Sequence, residues 1–202
     1  MSFKFISKIG LEVEGGWNRN NWHGETVHVD GTVQVAGYEN KEIVSRPLAS
    51  LEAAKEWLRR IYPQATNNTC GFHVHFSIKN DSDYARLMDK TFWTYFQNEI
   101  KKWAVENQIR NSNFWNRLRG ENSWCLAQFE PDAQAAATCK SPFRYKQLNF
   151  CKGFHGTVEC RLMPTFKNVE VAVKAMEALA NIIETYLESA PIQVGFKKTI
   201  TE

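Results

Sequence analysis

Three short stretches of the chain alternate between apolar and ionisable positions, and each reads as a β-strand with two unlike faces. In Leu11-Glu12-Val13-Glu14 the two glutamates share one side, while Leu11 and Val13 share the other. In Phe72-His73-Val74-His75-Phe76-Ser77 the polar side is His73, His75 and Ser77. In Val158-Glu159-Cys160-Arg161-Leu162 it is Glu159 and Arg161. Each strand pairs an apolar face, suited to a core, with a face that carries chemistry.

The remaining pattern supplies the elements around them. Lys4 to Glu14 reads as a strand ended by Gly15-Gly16, a second strand runs from about Val27 to Val35, and a short third runs from Lys41 to Ser45 before Pro47. Ser50 caps a helix with Glu52 in its first turn, and the helix stops near Tyr62, ahead of Pro63. Gly71 to Ile78 is the plainest strand. One long helix is expected after Asp81, with Tyr84, Met88, Phe92, Phe96, Ile100 and Trp103 along one face. Residues 107–142 read as an irregular functional loop or short helical pieces.

Strands at Tyr145–Cys151 and Thr157–Met163 form a hairpin across Gly153 and Gly156. Asn168 caps a last helix whose apolar stripe runs from Val169 through Met176 to Leu187. Strands in that order, with helices set apart from them, predict an α+β domain built on an antiparallel sheet. No repeat or linker interrupts the chain, so a single domain over residues 1–202 is expected.

Composition narrows the setting. Of 202 residues 43% are hydrophobic and 23% charged, as in an ordinary globular domain. The net charge of +3 suits an anionic ligand such as a nucleotide, and is too mild to predict a nucleic-acid surface. No apolar run reaches membrane-spanning length and the first residues do not open a signal peptide, which predicts a cytoplasmic protein without a membrane partner. The five cysteines contain no C-x-x-C pair, so they read mostly as buried thiols.

Taken singly, the polar pairs are weak. A lone E-x-E is usually a solvated strand face, a lone H-x-H is as often structural as ligating, and a lone E-x-R is usually a surface ion pair. Together they crowd carboxylates and imidazoles beside a guanidinium on one sheet face. Carboxylates packed so closely repel unless cations neutralise them, so the face predicts bound metal. Ligands that are mostly carboxylate favour Mg²⁺ or Mn²⁺ over zinc, and Arg161 is placed to hold phosphate oxygens.

Six short pieces, in order, carry a resemblance: Gly10-Leu11-Glu12-Val13-Glu14, Asp30-Gly31-Thr32, Glu42-Ile43-Val44-Ser45-Arg46-Pro47, Cys70 to Phe76, Arg144 to Asn149, and Thr157-Val158-Glu159-Cys160-Arg161. With them the chain resembles the amidoligases of the glutamine-synthetase superfold, especially the small viral and bacterial branch. It is more distantly similar to glutamine synthetase and glutamate–cysteine ligase. Thr32 stands where the family usually has Ser, and Cys160 where it usually has an aromatic residue.

The resemblance implies a glutamine-synthetase-like sheet with a concave active face and helices on the other side. It implies that Glu14 and Glu42, with Asp30, hold one Mg²⁺, and that Glu12, His73 and Glu159 hold a second at the phosphates of ATP. His75, Ser77, Asn149 and Arg161 would contact the nucleotide, and Arg161 and Arg144 would stabilise phosphate and acyl phosphate. The implied reaction joins a carboxylate to an amine, small molecule or peptide, through an acyl phosphate, and copies of the chain assemble in many relatives.

Other readings stay open at this level. A guanidino-kinase-like phosphotransferase shares the superfold, a metal-dependent hydrolase would use H-x-H with zinc, and a nucleic-acid-binding module would use the tryptophans with the Arg110–Arg119 cluster. Residues 109–119 mix cations with aromatics and read either as a substrate or lid loop or as a solvated helix with a packed apolar side. Glu121 and Glu130 are candidate bases for the amine, and His23, His28 and His155 are ordinary polar residues.

Overall fold

A computed structural model describes residues 3–127, 142–151 and 156–189. Strands β1 (Ile6–Trp17), β2 (Thr26–His28), β3 (Glu39–Val44), β4 (Gly71–Ile78), β7 (Leu148–Cys151) and β8 (Thr157–Pro164) form one sheet in the order β2-β3-β1-β4-β8-β7. Every neighbouring pair is antiparallel. A separate small hairpin joins β5 (Glu121–Asn122) to β6 (Cys125–Leu126). Among the described residues there are five α-helices: α1 (Leu51–Ile61), α2 (Asp81–Leu87), α3 (Lys90–Glu106), α4 (Ser112–Arg119) and α5 (Val169–Ser189). The α+β class and the antiparallel sheet expected from the alternating pattern are both present. No helix among these residues is long and apolar enough to cross a membrane.

One sheet face makes the core. Leu11 and Val13 of β1, Phe72, Val74 and Phe76 of β4, and Val158 and Leu162 of β8 are fully buried. They share one apolar cluster with Ala54, Leu58 and Ile61 of α1 and Ala172, Met176, Leu179 and Ile183 of α5. The stripe on α5 recurs every three or four residues, so one face of that helix packs, together with α1, over the apolar side of the sheet. The opposite faces of β1, β4 and β8 carry the ionisable residues.

Several boundaries differ from expectation, each for a local reason. β1 does not stop at Gly15-Gly16 but runs to Trp17. A Cβ on Gly15 would lie 2.5 Å from Pro63, so this glycine serves close approach by the segment after α1 rather than a turn. The second strand is only three residues long, because Asp30 closes a turn by accepting from Thr32 N and Thr32 Oγ1, both at 2.7 Å. The single long helix after Asp81 is two, divided where Asp89 accepts from Thr91 N and caps α3. Of the two readings of residues 107–142, short helical pieces hold at residues 112–119, which form a regular helix.

Gly156, at the end of the expected hairpin, has φ of +67°, whereas Gly153 lies outside the described residues. Cys70, Cys125 and Cys160 are buried free thiols, as their lack of paired spacing indicates.

Candidate active site

The strand register brings the polar faces together as a staggered row. Glu14 of β1 stands opposite Glu42 of β3, and Glu12 stands opposite His73 of β4. His75 stands opposite Glu159 of β8, which in turn faces Asn149 of β7. Near His73 the β4–β8 register shifts, so that Arg161 and Leu162 of β8 both stand against one residue of β4. Such an irregularity re-aims a side chain, and here it accompanies an Arg161 guanidinium turned back onto the row.

At the centre lies a dense ionic knot. Glu12 Oε2 is 3.1 Å from His73 Nδ1 and Glu12 Oε1 is 3.0 Å from His75 Nε2. Glu159 Oε1 lies 3.5 Å from His73 Nδ1 and accepts from Arg161 Nη1, while Glu159 Oε2 accepts from Asn149 Nδ2 at 2.7 Å. Thr157 Oγ1 holds the other ring nitrogen of His75 at 3.1 Å. Asn149, implied as a nucleotide contact, thus also orients a carboxylate. Ser77 shares this face one step beyond His75, where Ser77 stands opposite Thr157.

Electrostatics follow from the crowding. Burial works to raise Glu12, but its hydrogen bonds to His73 and His75 outweigh it and hold the carboxyl well below the usual range. Burial likewise opposes ionisation of Glu159, yet the charges of Arg161, His75 and His73 hold it low. His75 is raised: burial opposes its charge, and Glu12 and Glu159 more than compensate. Glu42 is the exception. Burial, reinforced by the charges of Glu12, Glu14 and Asp30, pushes it up to about 8.

Two sets of ligand atoms lie within 4.8 Å of one another, Glu12 with Glu42 and His73, and Glu12 with His75 and Glu159. Glu12 belongs to both. Glu14 and Asp30 are in neither set: a Glu14 oxygen accepts from Gly71 N, and Asp30 is engaged by Thr32. Both instead line a cavity of about 210 Å³ beside the row, together with Arg117, Arg144 and Arg161. Arg144 lies with its guanidinium 4.8 Å from the Tyr145 ring, and Tyr145 also meets Trp124 edge-on at 5.3 Å.

Arg117 is the main residue that the sequence leaves unassigned within segment 109–119. Phe114, fully buried against Trp103, Trp115 and Phe166, fixes the inward face of α4. Arg117 follows it by three positions and shares that face, with only 2% of its surface exposed. Its Nη1 donates to Arg161 O at 2.9 Å, and Gln147 Nε2 donates to Arg117 O and Leu118 O at the end of the helix. Burial lowers the Arg117 pKa from its ordinary value. Of the candidate bases, Glu121 is exposed and ion-paired with Arg119, and Glu130 lies outside the described residues, as does His155. His23 and His28 are exposed.

The framework of the candidate site is a six-stranded antiparallel sheet in an α+β domain, apolar on one side and bearing carboxylates, imidazoles and a guanidinium on the other. The family model described as "Putative amidoligase enzyme" matches residues 38–181, and the chain belongs to that family. The matched span holds Glu42, His73, His75, Glu159 and Arg161, whereas Glu12, Glu14 and Asp30 precede it. No curated protein matches the chain.

Proposed function

We propose that the protein is an ATP-dependent carboxylate–amine ligase that forms an amide through an acyl phosphate, using Mg²⁺ or Mn²⁺ on the ionic face of the sheet. The observation that carries this reading is the pair of ligand sets sharing Glu12, with Arg161 bonded to the Glu159 carboxylate that belongs to one of them. The donors fit such ions: they are mostly carboxylate oxygens, and burial together with neighbouring negative charge, which a cation would offset, raises the Glu42 pKa to about 8. Bound there, the ions would neutralise the triphosphate and hold the reacting groups in line.

The chain's own residues take definite parts. Asn149 and Thr157 fix Glu159 and His75, so both present one orientation. Arg161 keeps Nη1 on Glu159, while its buried Nε has no hydrogen-bond partner among the described residues. That donor is free for an oxygen of the transferring phosphoryl group. Arg144, exposed at the cavity edge, is available to the same charge as it passes to the acyl phosphate. In the reaction a substrate carboxylate oxygen bonds to the γ-phosphorus as ADP leaves. The amine nitrogen then bonds to the carbonyl carbon, phosphate departs with the carboxylate oxygen, and the amine proton passes to a base or solvent.

The test is a matrix of carboxylates and amines with ATP and Mg²⁺, following ADP release and identifying the product by mass spectrometry. ADP should appear with an amide only when both organic substrates are present. A stable phosphorylated product formed without the amine identifies a phosphotransferase instead, and absence of nucleotide turnover across the matrix rejects the reading.

A further inference from the structure

Gln147 is enclosed by protein, and its side-chain amide is fully engaged. Nε2 donates to Arg117 O at 2.9 Å and to Leu118 O at 2.8 Å, two carbonyls in the last turn of α4. Carbonyls at a helix end lack intrahelical partners, and this amide serves them. Its Oε1 accepts from Gln97 Nε2 of α3 at 2.7 Å. With both N–H donors spent, Gln147 acts on the site only through what it holds.

What it holds is the backbone of Arg161. Arg161 N donates to Gln147 O at 3.0 Å, so the two residues continue the β7–β8 ladder one step past Leu148 and Cys160. A hydrogen-bonded antiparallel pair normally exchanges two such bonds. Here the return bond is replaced. Gln147 N donates to Leu126 O of β6 at 3.1 Å, and Arg161 O accepts from Arg117 Nη1 at 2.9 Å. Gln147 Nε2 to Arg117 O, Arg117 Nη1 to Arg161 O, and Arg161 N to Gln147 O therefore close a ring. The ring lies where the β4–β8 register shifts, a place where a strand leaves backbone groups without their ladder partners.

We propose that Gln147 is a positioning residue for Arg161: by closing this ring it fixes the backbone from which the Arg161 guanidinium reaches Glu159 and lines the cavity. The arginine side chain is long, so a small tilt at its Cα becomes a large displacement at its tip. Displacement of a group that stabilises the reacting centre by about 1 Å can cost about 10²-fold in rate. Where turnover is concerned, the assignment rests on the ligase reading above.

NMR and kinetics on the full chain test this together. In ¹⁵N-edited spectra of the ligand-free protein, Arg161→Lys identifies the Arg161 Nε–H signal by its disappearance. Gln147→Met should shift and broaden that signal, while the signal of Arg59, paired with Glu170 on the surface, stays in place. In single-turnover ADP formation Gln147→Met should lower the rate about 10–100-fold, with affinity for ATP and Mg²⁺ changing less than about 3-fold. The same substitution made in the Arg161→Lys background should cost no more than about 2-fold, because its effect passes through the guanidinium fork. Should Gln147→Met fail to fold, Gln97→Met serves instead. It removes only the bond to Gln147 Oε1, and should move the same signal and lower the rate about 2–5-fold.

An Arg161 Nε–H signal of native position and width in the variant overturns the assignment. Equal rate losses in the native and Arg161→Lys backgrounds do the same, since they make Gln147 a general support of the fold. The two readings fail separately. A native chain that turns over no nucleotide removes the ligase reading, while the Nε–H comparison, which needs no nucleotide, still decides the positioning role.

Discussion

The ionic knot on β1, β4 and β8 and the cavity beside it are neighbours with different states of completion, and Arg161, whose buried Nε has no partner among the described residues, belongs to both. In the knot, Glu12, His73, His75, Glu159 and Arg161 hold one another at hydrogen-bonding or ion-pair distances. In the cavity, Arg117 keeps a buried donor without a partner among the described residues. Glu42, beside the knot, resists ionising because it is buried and, in addition, because negative charge surrounds it. A closed network preorganises charge at no cost when a reaction begins, whereas unmatched groups mark where a ligand contributes the missing partner. On the ligase reading, the knot would perform the chemistry and the cavity would receive what enters.

Removing a member of the closed network should have the largest effect. Glu159→Gln leaves the buried Arg161 charge without its partner, and stability should fall by about 3–5 kcal/mol in denaturant unfolding. It should also weaken metal-dependent nucleotide binding by taking away a ligand charge. A variant of native stability would mean that the knot is not electrostatically closed. Arg161→Lys keeps the charge and loses the fork. Single-turnover ADP formation should drop about 10²–10³-fold while affinity for ATP with Mg²⁺ changes little. Turnover at the native rate would make Arg161 a structural residue.

Glu42 gives an intermediate effect with a definite sign. Its pKa rises from an ordinary 4.5 to about 8 in the folded chain, so across that interval the folded state binds more protons than the unfolded state. The Glu42 contribution to stability of the metal-free protein therefore declines as pH rises from about 4.5 to about 8, then levels off. Glu42→Gln should remove that decline. Near pH 7, Mg²⁺ binding should release about one proton, read by calorimetry in buffers of different ionisation enthalpy. No proton release would place the metal away from Glu42. The smallest effect is expected at Ser77, on the same face but a step beyond His75. Ser77→Ala should weaken nucleotide binding about 5-fold, the worth of one hydrogen bond, and unchanged affinity would remove Ser77 from the nucleotide contacts.

The knot was legible in the sequence because a strand repeats every two residues. Glu12, His73, His75, Glu159 and Arg161 all follow from that period, and it also separates them from Leu11, Val74 and Cys160 behind the sheet. The cavity was much less legible. Arg117 reaches it from a helix whose ends were marked, by Asn111 accepting from Phe114 N and by Gly120 at a φ of +73°. That eight-residue bracket was the available signal, yet only tertiary packing of Phe114 decides that Arg117 turns inward. The grouping of ligands was legible only in part. The resemblance paired Glu14 with Glu42, and the register sets these two opposite each other, while ligand atoms of Glu42 also lie within 4.8 Å of those of Glu12 and His73. Sequence spacing cannot report which strands lie side by side.

The most direct measurement follows an oxygen atom. A carboxylate substrate labelled with ¹⁸O on both oxygens is turned over with ATP, Mg²⁺ and its amine, and the released phosphate is analysed by mass spectrometry. Reaction through an acyl phosphate transfers one labelled oxygen to each phosphate, because the carbon–oxygen bond breaks when the amine attacks. Phosphate free of label, formed together with amide, would contradict carboxylate phosphorylation and with it the role assigned to Arg161.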